Sequence, residues 1–196
     1  MEPNRNTIVD DLEFTVSNWA NLDEPACFEV RCLKPNNLPL LRKFTRERLD
    51  EALRFVTDKN LSGYNIYVTR NPVRLETNRS ATDDDIIAAT MCWADCDEGQ
   101  AFNKIANYAG TKPDLLVVTG TKPQPRGHFY WLLDKVSTDL NEWRRTMENI
   151  ARRFGSDTSV VNPARIMRLA GTVSYPNPKK QQKGYEVELT KRQVEL

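Results

Sequence analysis

Met91-Cys-Trp-Ala-Asp-Cys-Asp97 runs an apolar segment into two carboxylates two residues apart. In an extended chain alternate side chains share a face, so Asp95 and Asp97 project from one side and Cys92, Ala94 and Cys96 from the other. The second set is small and apolar enough to bury. Two carboxylates held that close repel unless a cation sits between them, and hard divalent ions take oxygen ligands. The segment reads as a strand carrying a metal site. An Asp-rich surface turn is the competing reading, because Asp-x-Asp is a common pattern.

Downstream, Phe102, Ile105, Ala106 and Ala109 recur at helical spacing, and Gly110 closes that helix. Leu115-Leu-Val-Val-Thr119 is β-rich. A loop from Gly120 to Gly127 then returns as His128-Phe-Tyr-Trp-Leu-Leu133, which predicts a hairpin. Thr138 is the expected cap of a helix whose apolar side is Leu140, Trp143, Met147, Ile150, Ala151 and Phe154. An irregular stretch from Gly155 to Thr172, a polar loop from Tyr175 to Gly184 and a last strand from Tyr185 to Leu189 follow. Upstream, Phe28–Leu33 and Tyr64–Thr69 read as strands. Leu49, Ala52, Leu53 and Val56 mark a helix capped by Thr45. Asp83-Asp84-Asp85 after Thr82 reads as an acidic helix start, with a metal cluster as the competing reading. The first 40 residues give mixed signals. The pattern predicts a mixed α/β fold with largely antiparallel pairing.

A chain of 196 residues, 39% hydrophobic and 28% charged, can bury a substantial core. Net charge is only +1. Between Lys112 and Lys183, however, 13 Lys/Arg stand against 6 Asp/Glu, so this stretch is strongly basic and the rest acidic. That asymmetry points to a surface facing phosphates; scattered solvated charge is the alternative. No run approaches the length of a membrane span, and Met1–Asn6 has no apolar signal core, so a cytoplasmic protein without membrane association is expected. Cys27, Cys32, Cys92 and Cys96 lack Cys-x-x-Cys spacing and are expected as free thiols.

Four further features bear on chemistry. His128, the one histidine, opens a strand after glycine, next to Arg126, where a side chain can meet a ligand; a structural histidine is the alternative. Asp157 follows a helix that returns the chain toward the sheet, and alone would be a turn residue. Arg165 and Arg168 are spaced to share one side of a helix, and guanidinium suits bidentate phosphate recognition; surface ion pairs are the alternative. Tyr130 and Trp131 can stack on bases or fill a core.

In this order, Asp95-x-Asp97, Gly127-His128 on a strand running into Tyr-Trp-Leu, Asp157, and Arg165-Ile-Met-Arg168-Leu-Ala-Gly171-Thr172, the chain resembles the archaeo-eukaryotic primase superfamily. Within it the likeness is to primase-polymerases and RepB-like primases of plasmids, phages and mobile elements. Gly63-Tyr-Asn-Ile-Tyr-Val-Thr-Arg-Asn-Pro72 looks like an early strand of that family, and the resemblance covers residues 60–190. It implies one catalytic domain over 1–196: an N-terminal α/β unit (1–85) joined to an RRM-like, mostly antiparallel catalytic sheet with packed helices (86–196). It also implies two Mg²⁺ or Mn²⁺ ions on Asp95, Asp97 and Asp157. Nucleoside triphosphate contacts would come from His128, Arg126, Arg165, Arg168 and Lys179. Lys122, Tyr130 and Lys180 are the candidates for the nucleic-acid strand. Two departures stand out. Arg126 occupies a position that is often Ser or Gly, which alters the triphosphate pocket. Ala170 stands where many members have Pro, which changes only a turn.

The expected activity is primer synthesis and extension on single-stranded DNA, in replication of a mobile element. A helicase or helical accessory domain would be the partner in a longer chain. A two-metal nuclease using the same acids, and a degenerate single-strand-binding module, are the alternatives. Little acid–base chemistry is needed from side chains in nucleotidyl transfer, which suits a chain with one histidine.

Overall fold

The computed structural model describes residues 1–97 and 99–194. In chain order the elements are α1 (Arg5–Val16), β1 (Ala26–Leu33), β2 (Leu40–Phe44), α2 (Leu49–Leu61), β3 (Asn65–Thr69), β4 (Val73–Arg74) and β5 (Ala89–Cys96). They continue with α3 (Gly99–Ala106), β6 (Leu115–Gly120), β7 (Arg126–Ser137), α4 (Leu140–Phe154), β8 (Ile166–Arg168), β9 (Val173–Ser174), α5 (Pro178–Gln181), β10 (Glu188–Leu189) and β11 (Lys191–Gln193).

Two antiparallel sheets carry the architecture. The first runs β2-β1-β3-β8, with β4 also pairing β1, and the second runs β11-β6-β7-β5; β9 and β10 form a short separate ladder. The mixed α/β fold with largely antiparallel pairing is thus the one expected. The division at residue 85 is not followed by the chain, because β8 leaves the C-terminal half to pair with β3 through Tyr67↔Arg168 and Val68↔Met167. That crossing brings the arginine segment to the junction of the sheets.

β5 reads as nearly continuous apolar sequence because both of its faces are covered. On one side Ala94 and Cys96 pack with Phe129, Leu116, Ile105 of α3 and Phe154 of α4. Trp143 and Met147 of α4 join Met91, Trp93, Leu115 and Tyr130 in the central cluster. The indole N–H of Trp143 donates to the Met91 carbonyl (3.0 Å) and that of Trp93 to the Val160 carbonyl (2.8 Å), so neither is buried unsatisfied. Truncating either indole to Ala would cost about 3–5 kcal/mol.

The α4 stripe is as predicted, but its cap is Asp139 rather than Thr138, since the Asp139 carboxylate accepts from the backbone N–H groups of Asn141 and Glu142. α3 stops at Ala106, short of Ala109. Asp83–Asp85 is one 3₁₀ turn rather than a helix start or a metal cluster. Asp85 pairs with Arg79, and Asp83 accepts from Arg144, Asn162 and the Ala164 N–H, tying down the loop before Arg165.

α1 was not legible in the sequence. Its inner face is Ile8, Asp11, Leu12 and Thr15, so a buried acid interrupts the apolar stripe. With α2 it covers the first sheet, where Ile8, Leu12, Ala52 and Val56 meet Phe28, Val30, Ile66 and Val68. The sheets are fastened behind β3. Asn71 accepts from the Thr90 N–H and donates to the Pro163 carbonyl, and Arg70 grips Asp11 with two nitrogens at 3.0 and 2.9 Å. All four cysteines are buried free thiols.

Candidate active site

The β5–β7 ladder places Asp95 directly opposite His128, and the β6–β7 ladder sets Val117 on the other side of His128. Directly opposed residues share a face, so the carboxylate and the imidazole project together. Asp97 lies one residue beyond the end of β5 and is exposed. Asp157 arrives by a different route. Gly155, left-handed at φ 71°, terminates α4 and turns the chain back; the Asp157 N–H then donates to the Asp95 carbonyl at 3.0 Å. The Asp157 carboxylate accepts only from the nearby Ser159 N–H (2.8 Å). Three acids, two of them 60 or more residues from the third in sequence, thereby line one cavity of about 250 Å³.

The same cavity also carries cations: Arg126, Arg165, Arg168 and Lys180 line it together with His128, Tyr67, Thr119, Tyr185 and Glu186. Arg165 and Arg168 reach it by a path other than the expected one. The segment is a turn leading into β8, not a helix, so Arg165 precedes the strand while Arg168 ends it. Arg168 is positioned by Asn65 Oδ1 and Tyr67 Oη, each at 2.8 Å, and stacks on the Tyr67 ring.

Other candidates fall differently. Arg126 lines the cavity, but its guanidinium donates to the Gln124 and Lys122 carbonyls, lies 3.5 Å from Glu188 and sits over the Tyr185 ring at 4.0 Å. Its donors are committed to holding the wall. Lys180 lines the cavity whereas Lys179 does not, because consecutive residues of α5 point about 100° apart. Lys122 is exposed and also stands outside the cavity lining. Tyr130 is wholly buried in the core, so it has no face on which a base can stack. Trp131 lies flat against Phe154 at 6.4 Å on the helical side.

Tyr67, Tyr185 and Glu186 went unrecognised in the sequence. Tyr67 carried a signal in its alternation with Asn65 and Thr69, but its relevance depends on the long-range β3–β8 pairing. Tyr185 and Glu186 sit in a segment whose only local mark is the Lys-rich loop before it.

Burial, and after it the neighbouring charges of Asp97 and Asp157, raise the Asp95 carboxyl to about 7 against the pull of Arg165 and Lys180. His128 is held well below the ordinary imidazole range by burial and then by the charges of Arg70, Arg168 and Arg165, so it is neutral at pH 7. Its Nε2 stands 3.5 Å from Asp95 Oδ1, a contact rather than an ion pair. Asp95 Oδ1 is buried without a hydrogen-bond partner. Among the described residues no three His, Cys, Asp or Glu side chains form a closed ligand cluster. The acids instead make an open set of hard oxygen donors, with one orphaned oxygen and mutual repulsion. These features fit a divalent cation.

Among the described residues no helix is long and apolar enough to cross a membrane. No family model matches the chain, and no curated protein matches its sequence. Solved structures do match in shape. The AEP domain of the cyanophage S-2L primase-polymerase superposes with a TM-score of 0.68 at 19% identity, over 98% of this chain and 90% of that one. Primase RepB′ gives 0.58 at 15% identity, over 94% of this chain and 56% of that one. The catalytic domain of RepB′ in complex with initiator DNA gives 0.57 at 15%, over 93% and 84%. The chain has the fold of an archaeo-eukaryotic primase-polymerase catalytic domain.

Proposed function

We propose that this domain is a nucleotidyltransferase that starts and extends strands on single-stranded DNA, using nucleoside triphosphates and two Mg²⁺ or Mn²⁺ ions. The observation that carries the reading is one cavity lined both by Asp95, Asp97 and Asp157 and by Arg165, Arg168, Lys180 and His128. Nucleotidyl transfer needs both kinds of group, because carboxylates must hold the ions while cations receive the triphosphate and offset the charge that develops on the leaving pyrophosphate. The ions, when bound, favour ionisation of the attacking hydroxyl and offset the charge that develops on the leaving group.

The chain's own residues do the rest. Asp95, Asp97 and Asp157 would hold the ions. Arg165, Arg168 and Lys180 receive the triphosphate, with Arg168 already aimed by Asn65 and Tyr67. Neutral His128 donates one N–H without adding charge. Template binding by the basic surface is supported by the RepB′ catalytic domain, whose matching structure is described as a complex with initiator DNA. Replication of a plasmid, phage or other mobile element is the setting that suits such an activity.

The test is to incubate the protein with single-stranded templates, labelled ribo- or deoxynucleotides, and Mg²⁺ or Mn²⁺. New labelled strands and released pyrophosphate are expected without a supplied primer. Shortening of the template without incorporation would instead mark a nuclease. Binding of the strand with neither outcome would mark a module without catalysis.

A further inference from the structure

Behind the cationic wall lies a buried relay that the proposed chemistry does not itself use. Tyr130 stands two residues from His128 on β7, on the same face, and its hydroxyl lies 3.3 Å from His128 Nδ1. Arg70 packs over the Tyr130 ring, with its guanidinium carbon 4.6 Å from the centroid, and acts on the phenol electrostatically. Arg70 is itself gripped by Asp11, donates to Thr15 Oγ1 at 2.8 Å and to the Arg168 carbonyl at 3.2 Å, and is fully buried. Asp11 completes its shell by accepting from the Ala170 N–H at 2.7 Å.

Hydrogen-bond directions follow from the inventory of donors. Among the described residues the phenol's one hydrogen-bond partner is His128 Nδ1, and the guanidinium over the ring has no acceptor to offer, so the phenol proton points to the imidazole. His128 Nδ1 is then the acceptor. In a neutral ring whose Nδ1 accepts, Nε2 carries the proton, on the side of the ring that faces Asp95 and the cavity. We infer that Tyr130, braced by Arg70 and Asp11, is a positioning residue that locks His128 in the Nε2–H tautomer, presenting a neutral N–H donor to the cavity. The same Arg70 holds the Arg168 carbonyl, so one buried cation fixes both a donor of the strand β7 wall and the backbone of the β8 wall. The use of that N–H on a nucleotide's phosphates rests on the function proposed above. The tautomer does not.

The chain has a single histidine, so nitrogen-15 correlation spectra of the imidazole report this site alone. In nucleotide-free, metal-free wild type we expect a protonated Nε2 and an unprotonated, hydrogen-bonded Nδ1 at neutral pH. Tyr130→Phe keeps the buried ring and removes only the hydroxyl. It should give a mixture of tautomers with little change in melting, and an apparent nucleotide KM raised about fivefold while kcat changes less. A wild-type spectrum showing Nδ1–H overturns the inference without any variant, as does a Tyr130→Phe spectrum identical to wild type. An unaltered KM in a variant whose tautomer has become mixed overturns the positioning role. Failure of the wild type to incorporate nucleotide while the tautomer is locked would instead overturn the proposed function and leave the relay standing.

Discussion

Two carboxylates at the same junction have opposite surroundings. Asp11 is wholly buried and satisfied: two guanidinium nitrogens and a backbone N–H converge on it, and its partner Arg70 is equally enclosed. Asp95 is partly exposed on the cavity; among the described residues its Oδ1 has no hydrogen-bond partner, its acidic neighbours repel it, and its carboxyl is pushed up to about 7. A folded chain tolerates the second arrangement only at some cost in stability. Asp11 therefore belongs to the scaffold, whereas Asp95 faces the cavity beside acids that repel it.

Asp95→Asn should break the comparison most sharply. Nucleotide incorporation is expected to fall by about a thousandfold or more, since an amide is a poor ligand for a hard cation. The metal-free protein should move the other way. Because the folded-state pKa lies above the unfolded value of 3.8, the native state binds the extra proton between about pH 4 and 7. Stability from that group is full below pH 4 and lost as pH rises through 7. Urea melts of the metal-free variant at pH 8 should therefore show it more stable than wild type, by at most a few kcal/mol, with the gap closing toward pH 4. A variant that is inactive and also less stable at pH 8 would make Asp95 a structural acid like Asp11.

Asp11→Ala tests the other side. Removing it strands a buried guanidinium, and the expected loss is about 3–5 kcal/mol in urea unfolding. Adding Arg70→Met should recover much of that loss, because the unpaired charge goes with it. A double variant as unstable as the single one would show that packing, not charge, dominates there.

The contrast also explains what was readable in the sequence. Asp95, Asp97, His128 and Asp157 follow one another in an order that survives without any knowledge of pairing. The strands carrying them alternate or run apolar as local physics requires. α4 was legible because Leu140, Trp143, Met147 and Phe154 all face one core. α1 was not, since its inner stripe contains Asp11 and Thr15, and a charged residue on an apolar face contradicts helix amphipathicity until its partner, 59 residues away, is known. Tyr130 misled for a related reason: an aromatic beside a functional histidine looks like a stacking platform, whereas the β5–β7–β6 register encloses it. Lys179 and Lys180 are adjacent in sequence, and only the short α5 helix decides which faces the cavity. Local pattern specified the elements and the order of the acids. Partner choice, which separates scaffold from site, was set by contacts between distant residues.

If Asp95 is short of positive charge, divalent cations should supply it. Mg²⁺ or Mn²⁺ at a hundred times its dissociation constant should stabilise wild type by about 2.7 kcal/mol, read as a rise in melting temperature, and Asp95→Asn should lose most of that gain. Equal stabilisation of both proteins would move the metal away from these acids.

The smallest effect separates lysines and arginines within the basic stretch. Arg168 faces the cavity, prealigned by Asn65 and Tyr67, whereas Lys179 does not. Losing a charge-assisted contact to phosphate costs about 1.5–3 kcal/mol, so Arg168→Ala should lower kcat/KM for the nucleotide by roughly ten- to a hundredfold. Lys179→Ala should stay within about twofold at low salt, where a purely diffuse electrostatic contribution is largest. If the two variants lost activity equally, the basic stretch would act through net charge alone. The cavity's aimed guanidinium would then count for no more than any exposed lysine, and the distinction between partnered and free charge would hold for the acids but not for the cations that face them.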